Sequence, residues 1–277
     1  MVLRLSAWGI FLLGAVGLLI HSTLLQTGHI RAGMFCFYTN LSNLLVLVYE
    51  LALAIAAGFP HSAALRLLTG STLSFSMALC ILVTHLVYQF VLVPDAKRNG
   101  KRFADFGASF GNLCVHYLTP LLVVAQWLLL ADKSSLGWRS ALWWLTLPLA
   151  YFAFAMLRGR SGKPIGHTHL VYPYPFLDLP RLGWRKFTGY VTGMLLSFFL
   201  LGYGMMWLGG RSSSGMKKRT GTSLFACPCP FLCHFFRFLA KAAFLAGDIF
   251  PFWPGTDPPL RRDASGRLPP LCSGRPP

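Results

Sequence analysis

Acidic residues are scarce in this chain: Asp and Glu together number 8 in 277 residues, against 25 Lys and Arg, and only 12% of the residues are charged. A soluble domain carries about twice that share of charge. In its place the sequence is 55% hydrophobic and 14% aromatic, with a mean hydropathy of +0.55. Apolar runs lie at 6–25, 35–58, 67–93, 106–131, 140–157 and 187–209. Each approaches the roughly 20 residues that cross about 30 Å of hydrocarbon. The runs lack the period-2 alternation of a transmembrane barrel. Water is absent at depth, so each backbone polar group must bond within its own helix. The expected fold is all-α: a polytopic integral membrane six-helix bundle.

Other absences narrow the reading further. No small-x-small cleavage site precedes Gln26, so the first run behind Arg4 reads as a retained helix rather than a signal peptide. Of seven cysteines, Cys36, Cys80 and Cys114 sit inside apolar runs as small hydrophobes and imply no disulfide framework. Charge is confined to the connections. Lys97, Arg98, Lys101 and Arg102 fall in 94–105, and Arg158, Arg160, Lys163, Arg181, Arg185 and Lys186 fall in 158–186. Six spans put both segments on one side, which the positive-inside rule makes cytoplasmic. Arg4, Arg66, Lys133, Arg139 and the run Arg211 to Arg219 on the other side dilute that bias. The net charge of +17 suits anionic headgroups; no soluble module organises it for nucleic acid.

The composition divides the chain into a six-transmembrane-helix domain at 1–210 and a basic, Pro- and Cys-containing tail at 211–277. The tail is expected to be mostly disordered, with 231–250 open to an interfacial helix whose Arg237 and Lys241 snorkel. Cys227, Cys229, Cys233 and His234 lack the spaced second pair of a zinc module, so no metal is expected.

Two spans carry polar faces. In FYTNLSNLLV at 37–46, Thr39, Ser42 and Asn43 share one helical face, with Asn40 beside it. In NLCVHYLTPLLV at 112–123, His116 lies between Asn112 and Thr119, and Pro120 crowds and frees the His116 carbonyl. Such faces turn to a bundle interior, either as interhelical glue or as a site. As a site they offer a hydroxyl and a base, the minimum for nucleophilic hydrolysis. Asn40, Ser42, Asn43 and Asn112 are the candidates to stabilise an oxyanion or orient the imidazole.

These two stretches and VYPYPFLDL at 171–179 occur in an order and a six-span layout that resemble the androgen-induced gene 1 / androgen-dependent tissue-factor-pathway-inhibitor-regulating protein family and its bacterial predicted six-transmembrane relatives. The likeness covers roughly residues 1–210. It implies an integral-membrane hydrolase of the kind that cleaves fatty acid esters of hydroxy fatty acids, with Thr39 as nucleophile and His116 as base and without a cofactor. TNLSN is closer to the bacterial branch, which implies a bacterial cell membrane. Gln126 stands where many of those relatives carry an aspartate before Trp127.

The third stretch has two readings. Tyr172, Tyr174 and Phe176 suit an aromatic interfacial belt shaped by prolines, or Tyr172, Tyr174 and Asp178 form a substrate lid. His167 and His169 lack a third metal ligand. His85 and Gln89 extend the polar interior on the third span, and His21 is a further intramembrane imidazole; neither suggests a haem clamp. The rival function is non-catalytic lipid binding or transport. Transport has little to work with, since no inverted repeat is visible and Glu50 is the only acidic residue within the runs. The expected partners are the bilayer and a membrane lipid or fatty-acyl ester substrate.

Overall fold

A computed structural model describes residues 1–218 apart from 23, 31, 99, 167 and 168. The expectations for 219–277, including Cys227, Cys229, Cys233, His234 and the 231–250 helix, and that for His167, lie outside the described residues. Among the described residues the chain is all-helical with no strand. Six helices are long and apolar enough to cross a membrane: Val2–His21, Tyr38–Ala56, Ser71–Arg98, Phe110–Leu130, Trp138–Arg160 and Leu179–Gly209. The chain is a multi-pass membrane protein.

Outward faces carry exposed Leu12, Val16, Leu44, Val48, Leu121 and Leu129, whereas Asn43, Glu50, Thr84, His116 and Thr119 are buried. That inverts the arrangement of a soluble bundle and matches a lipid-facing exterior. The first four spans form the inner cluster, and the first lies along both the second and the fourth. Small residues allow this approach: a Cβ on Gly17 would stand 2.2 Å from the Cys114 Cβ, and one on Gly14 would stand 2.6 Å from Leu47 Cδ2. In lipid, where apolar burial drives little association, such close backbone contact holds helices together.

Two prolines shape the inner spans in the same way. A wide, π-type turn at Tyr88–Leu92 precedes Pro94, and another at Cys114–Leu118 precedes Pro120. A proline lacks an N–H and crowds the carbonyl four residues back; widening the preceding turn relieves the clash without breaking the helix. The third span therefore runs through Pro94 to Arg98, so Lys97 and Arg98 end a helix instead of lying in a loop as the sequence suggested. Ser109 caps the fourth span by accepting from the Asn112 N–H at 3.3 Å. The fifth is interrupted between Trp143 and Thr146, where the Trp144 side chain is fully buried. The sixth begins at Leu179, bends at Gly183 (φ 71°, ψ 161°) and continues to Lys218.

Candidate functional site

The polar groups of the second, third and fourth spans meet near the end of the bundle that faces the 158–178 link. The second span starts at Tyr38 with no side-chain cap of its own, leaving its first N–H groups in need of acceptors. Tyr174, from the link, supplies one. Its hydroxyl oxygen accepts from the Tyr38 N–H at 3.2 Å and also meets the N–H and the hydroxyl of Thr39. Burial pushes the Tyr174 phenol up to about 12, while these bonds pull the other way. Thr39 is half-buried; its hydroxyl is engaged by Tyr174.

Ser42 and Asn43 both reach back to the Thr39 carbonyl, at 3.0 and 2.8 Å. The Asn43 amide nitrogen donates in addition to the Val115 carbonyl at 3.1 Å, tying the turn of Thr39 to the turn of His116. Ser42 also pairs with Thr84 of the third span at 2.6 Å. His116 is buried, its ring stacked on Tyr88 at 3.7 Å and edge-on to His21 at 6.0 Å, and its Nδ1 has no hydrogen-bond partner. Its carbonyl, four residues before Pro120, bonds His85 Nδ1 at 2.8 Å. A carbonyl only accepts, so His85 carries its proton on Nδ1. Thus His85 replaces the N–H that Pro120 cannot supply.

A primary amide has two N–H donors, and most of them here are occupied. Asn43 spends both on Thr39 and Val115, and Asn112 spends both on the Tyr88 hydroxyl (2.6 Å) and the Gly107 carbonyl (3.0 Å). Asn40 donates to the Met34 carbonyl at 2.9 Å and retains one N–H. Gln89 accepts from Tyr117 at 2.5 Å and lies one turn beyond His85. The donors that converge on a single oxygen are instead the backbone N–H groups of Tyr38 and Thr39. Side-chain inspection missed them; the signal was the polar first turn of a helix, where N–H groups are always orphaned.

The remaining link residues have separate roles. Tyr172 lies against Gly159, where a Cβ would come within 2.1 Å of its ring. Tyr174 stacks on Phe176 at 5.1 Å and meets Phe37 edge-on at 6.1 Å. Asp178 accepts from the Arg181 N–H at 3.2 Å, capping the start of the last helix. Arg158 fastens the link by donating to the carbonyls of Lys163, Pro164 and Val171. Among the described residues no three His, Cys, Asp or Glu are grouped to hold a metal ion. Comparison with protein-family models, curated proteins and solved structures finds no match to this chain.

Proposed function

We propose that this protein is an integral-membrane threonine hydrolase that cleaves a lipid ester of the fatty acid–hydroxy fatty acid type in a bacterial cell membrane. The observation that carries this is the Asn43 bridge, which sets the Thr39 turn beside a buried histidine whose Nδ1 is uncommitted. The resemblance of the three sequence stretches supports the same pair.

In this mechanism the ester carbonyl displaces the Tyr174 hydroxyl from the second-span N-terminus. Its oxygen takes the Tyr38 and Thr39 N–H groups, which stabilise the oxyanion as a preorganised pair of donors. The freed Thr39 hydroxyl attacks the carbonyl carbon while His116 accepts its proton, then returns that proton to the departing alkoxide. Water hydrolyses the acyl-threonine with His116 again as base. Tyr174 is thereby a holder of the resting nucleophile and a part of the lid.

One observation favours a second reading, that of a non-catalytic lipid-binding or transport protein: the Thr39 hydroxyl bonds Tyr174 and not His116. The Ser42–Thr84 and Asn112–Tyr88 pairs also serve as interhelical glue. Labelling of the purified protein by a fluorophosphonate probe separates the two. Labelling abolished by Thr39→Ala and by His116→Ala, with both variants folded, supports the hydrolase; absence of labelling in folded wild type supports the non-catalytic protein.

A further inference from the structure

Glu50 is the sole glutamate in the sequence and is fully buried in the second span. It lies eleven residues beyond Thr39, about 16 Å along the helix at ~1.5 Å per residue, toward the opposite membrane surface. Its Oε2 accepts from Gln126 Nε2 at 3.2 Å, and the same nitrogen donates to Ser6 Oγ at 3.1 Å, so one amide joins the first, second and fourth spans. Its Oε1 is buried with no hydrogen-bond partner. Gln126 lines a cleft whose other walls include Leu3, Tyr49, Leu53, Thr69 and Asp132. Thr69 and Asp132 come from the surface connections after the second and fourth spans, so the cleft leads from that surface to the amide that holds Glu50.

The neighbouring ionisable and hydroxyl groups lie or bond elsewhere. On the first span, Arg4 lies at Gly58, where a Cβ would be 3.4 Å from its Cζ. On the second, the Tyr49 hydroxyl donates to the Leu68 carbonyl at 2.8 Å. On the third, Ser74 and Ser76 turn to the backbone of Ser71 and Thr72, and Cys80 pairs with Tyr38. After the fourth, Lys133 donates to the Leu128 and Ala131 carbonyls, and Asp132 is held by the N–H and hydroxyl of Ser134. The Ser134 bonds and the nearby Lys133 keep the Asp132 carboxyl below its usual value, so Asp132 is ionised at the cleft mouth. A carboxylate without a cation in a low-dielectric interior is relieved by taking up a proton.

We propose that Glu50 is an intramembrane proton-binding site: a neutral carboxylic acid at pH 7, protonated on Oε1 and exchanging its proton with water through the cleft beneath Asp132. This holds whether or not Thr39 is a nucleophile. Because no other glutamate exists, cell-free synthesis with δ-¹³C-glutamate gives a single-site carboxyl probe. In nanodiscs at pH 7, isotope-edited infrared spectra should show a protonated C=O band that converts to carboxylate at higher pH. A carboxylate band at pH 7 in the folded protein overturns the assignment. Dicyclohexylcarbodiimide, which adds to protonated buried carboxyls, should modify Glu50, as located by peptide mass spectrometry; a folded wild type unmodified there also overturns it. Leu53→Trp, which fills the cleft, should slow the proton-to-deuteron shift of the carboxylic acid band at least threefold, and an unchanged rate refutes the route.

Discussion

Replacing Tyr174 by Phe separates the holding of Thr39 from the packing of the link. Phenylalanine keeps the stack on Phe176 and the edge contact with Phe37, so only the hydroxyl is lost. That hydroxyl serves the Tyr38 and Thr39 N–H groups and the Thr39 side chain. Net loss of such bonds in a partly buried place costs about 1–3 kcal/mol of stability. The opposite sign holds for reactivity. In the proposed hydrolase a bond worth ~1 kcal/mol holds the threonine hydroxyl away from His116, and its removal would raise the competent fraction by about fivefold. Tyr174→Phe should therefore unfold earlier in a thermal scan yet label faster with the fluorophosphonate in a time course. Slower or unchanged labelling in a folded Tyr174→Phe protein would show that Tyr174 does not restrain the nucleophile.

Two further outcomes follow from the same geometry. His85→Leu leaves the His116 carbonyl without its partner, at a cost of about 1–2 kcal/mol; adding Pro120→Ala restores an N–H in the fourth span and should recover much of that loss in thermal stability, whereas additive losses would refute the exchange. Burial raises the Tyr174 phenol from 10 to about 12, so its contribution is intact below pH 10 and declines as the pH climbs toward 12, because the unfolded phenol ionises first. Limited proteolysis within 158–178 should accelerate over that window in wild type and not in Tyr174→Phe.

The six spans were legible because length and apolarity are properties of composition, and membrane thickness turns them into helices with little dependence on packing. Their ends were less so. The sixth begins at Leu179 and not near Phe187, because Gly183 lets a short helical turn join it at an angle. The third runs past Pro94 because a widened turn absorbs the proline. At the site, the helical period correctly grouped Thr39, Ser42 and Asn43, and the effect of Pro120 on the His116 carbonyl was readable from the missing N–H. That His85 would take that carbonyl was not, since it depends on the relative rotation of two helices. Nor could side-chain identity show that Asn43 and Asn112 exhaust their amide donors on carbonyls and a phenol. Asp178, grouped with the lid tyrosines by sequence, is occupied as a helix cap.

The two polar ends of the second span are separated by tightly packed apolar residues, and this separation constrains the chemistry. Between Asn43 and Glu50 lie Val46 and Leu47, exposed by 0% and 5%, and Val123 of the fourth span is exposed by only 2%. Leu47 joins Leu18 and Val115 in a common apolar cluster across three spans. Thr119, beside Gly14 in this layer, is fully buried with its hydroxyl unpartnered, so among the described residues the packing opposes the passage of water from the Asp132 side onward to Thr39. In the proposed hydrolase, the water that releases an acyl group from Thr39 would then arrive from the opposite surface, past Tyr174, with the acyl chain on the lipid side of that opening. Deacylation should thus depend on displacement of the 158–178 link. A disulfide that fixes the link to the second span should slow turnover by retaining the acyl-threonine, with the carbodiimide reactivity of Glu50 unchanged.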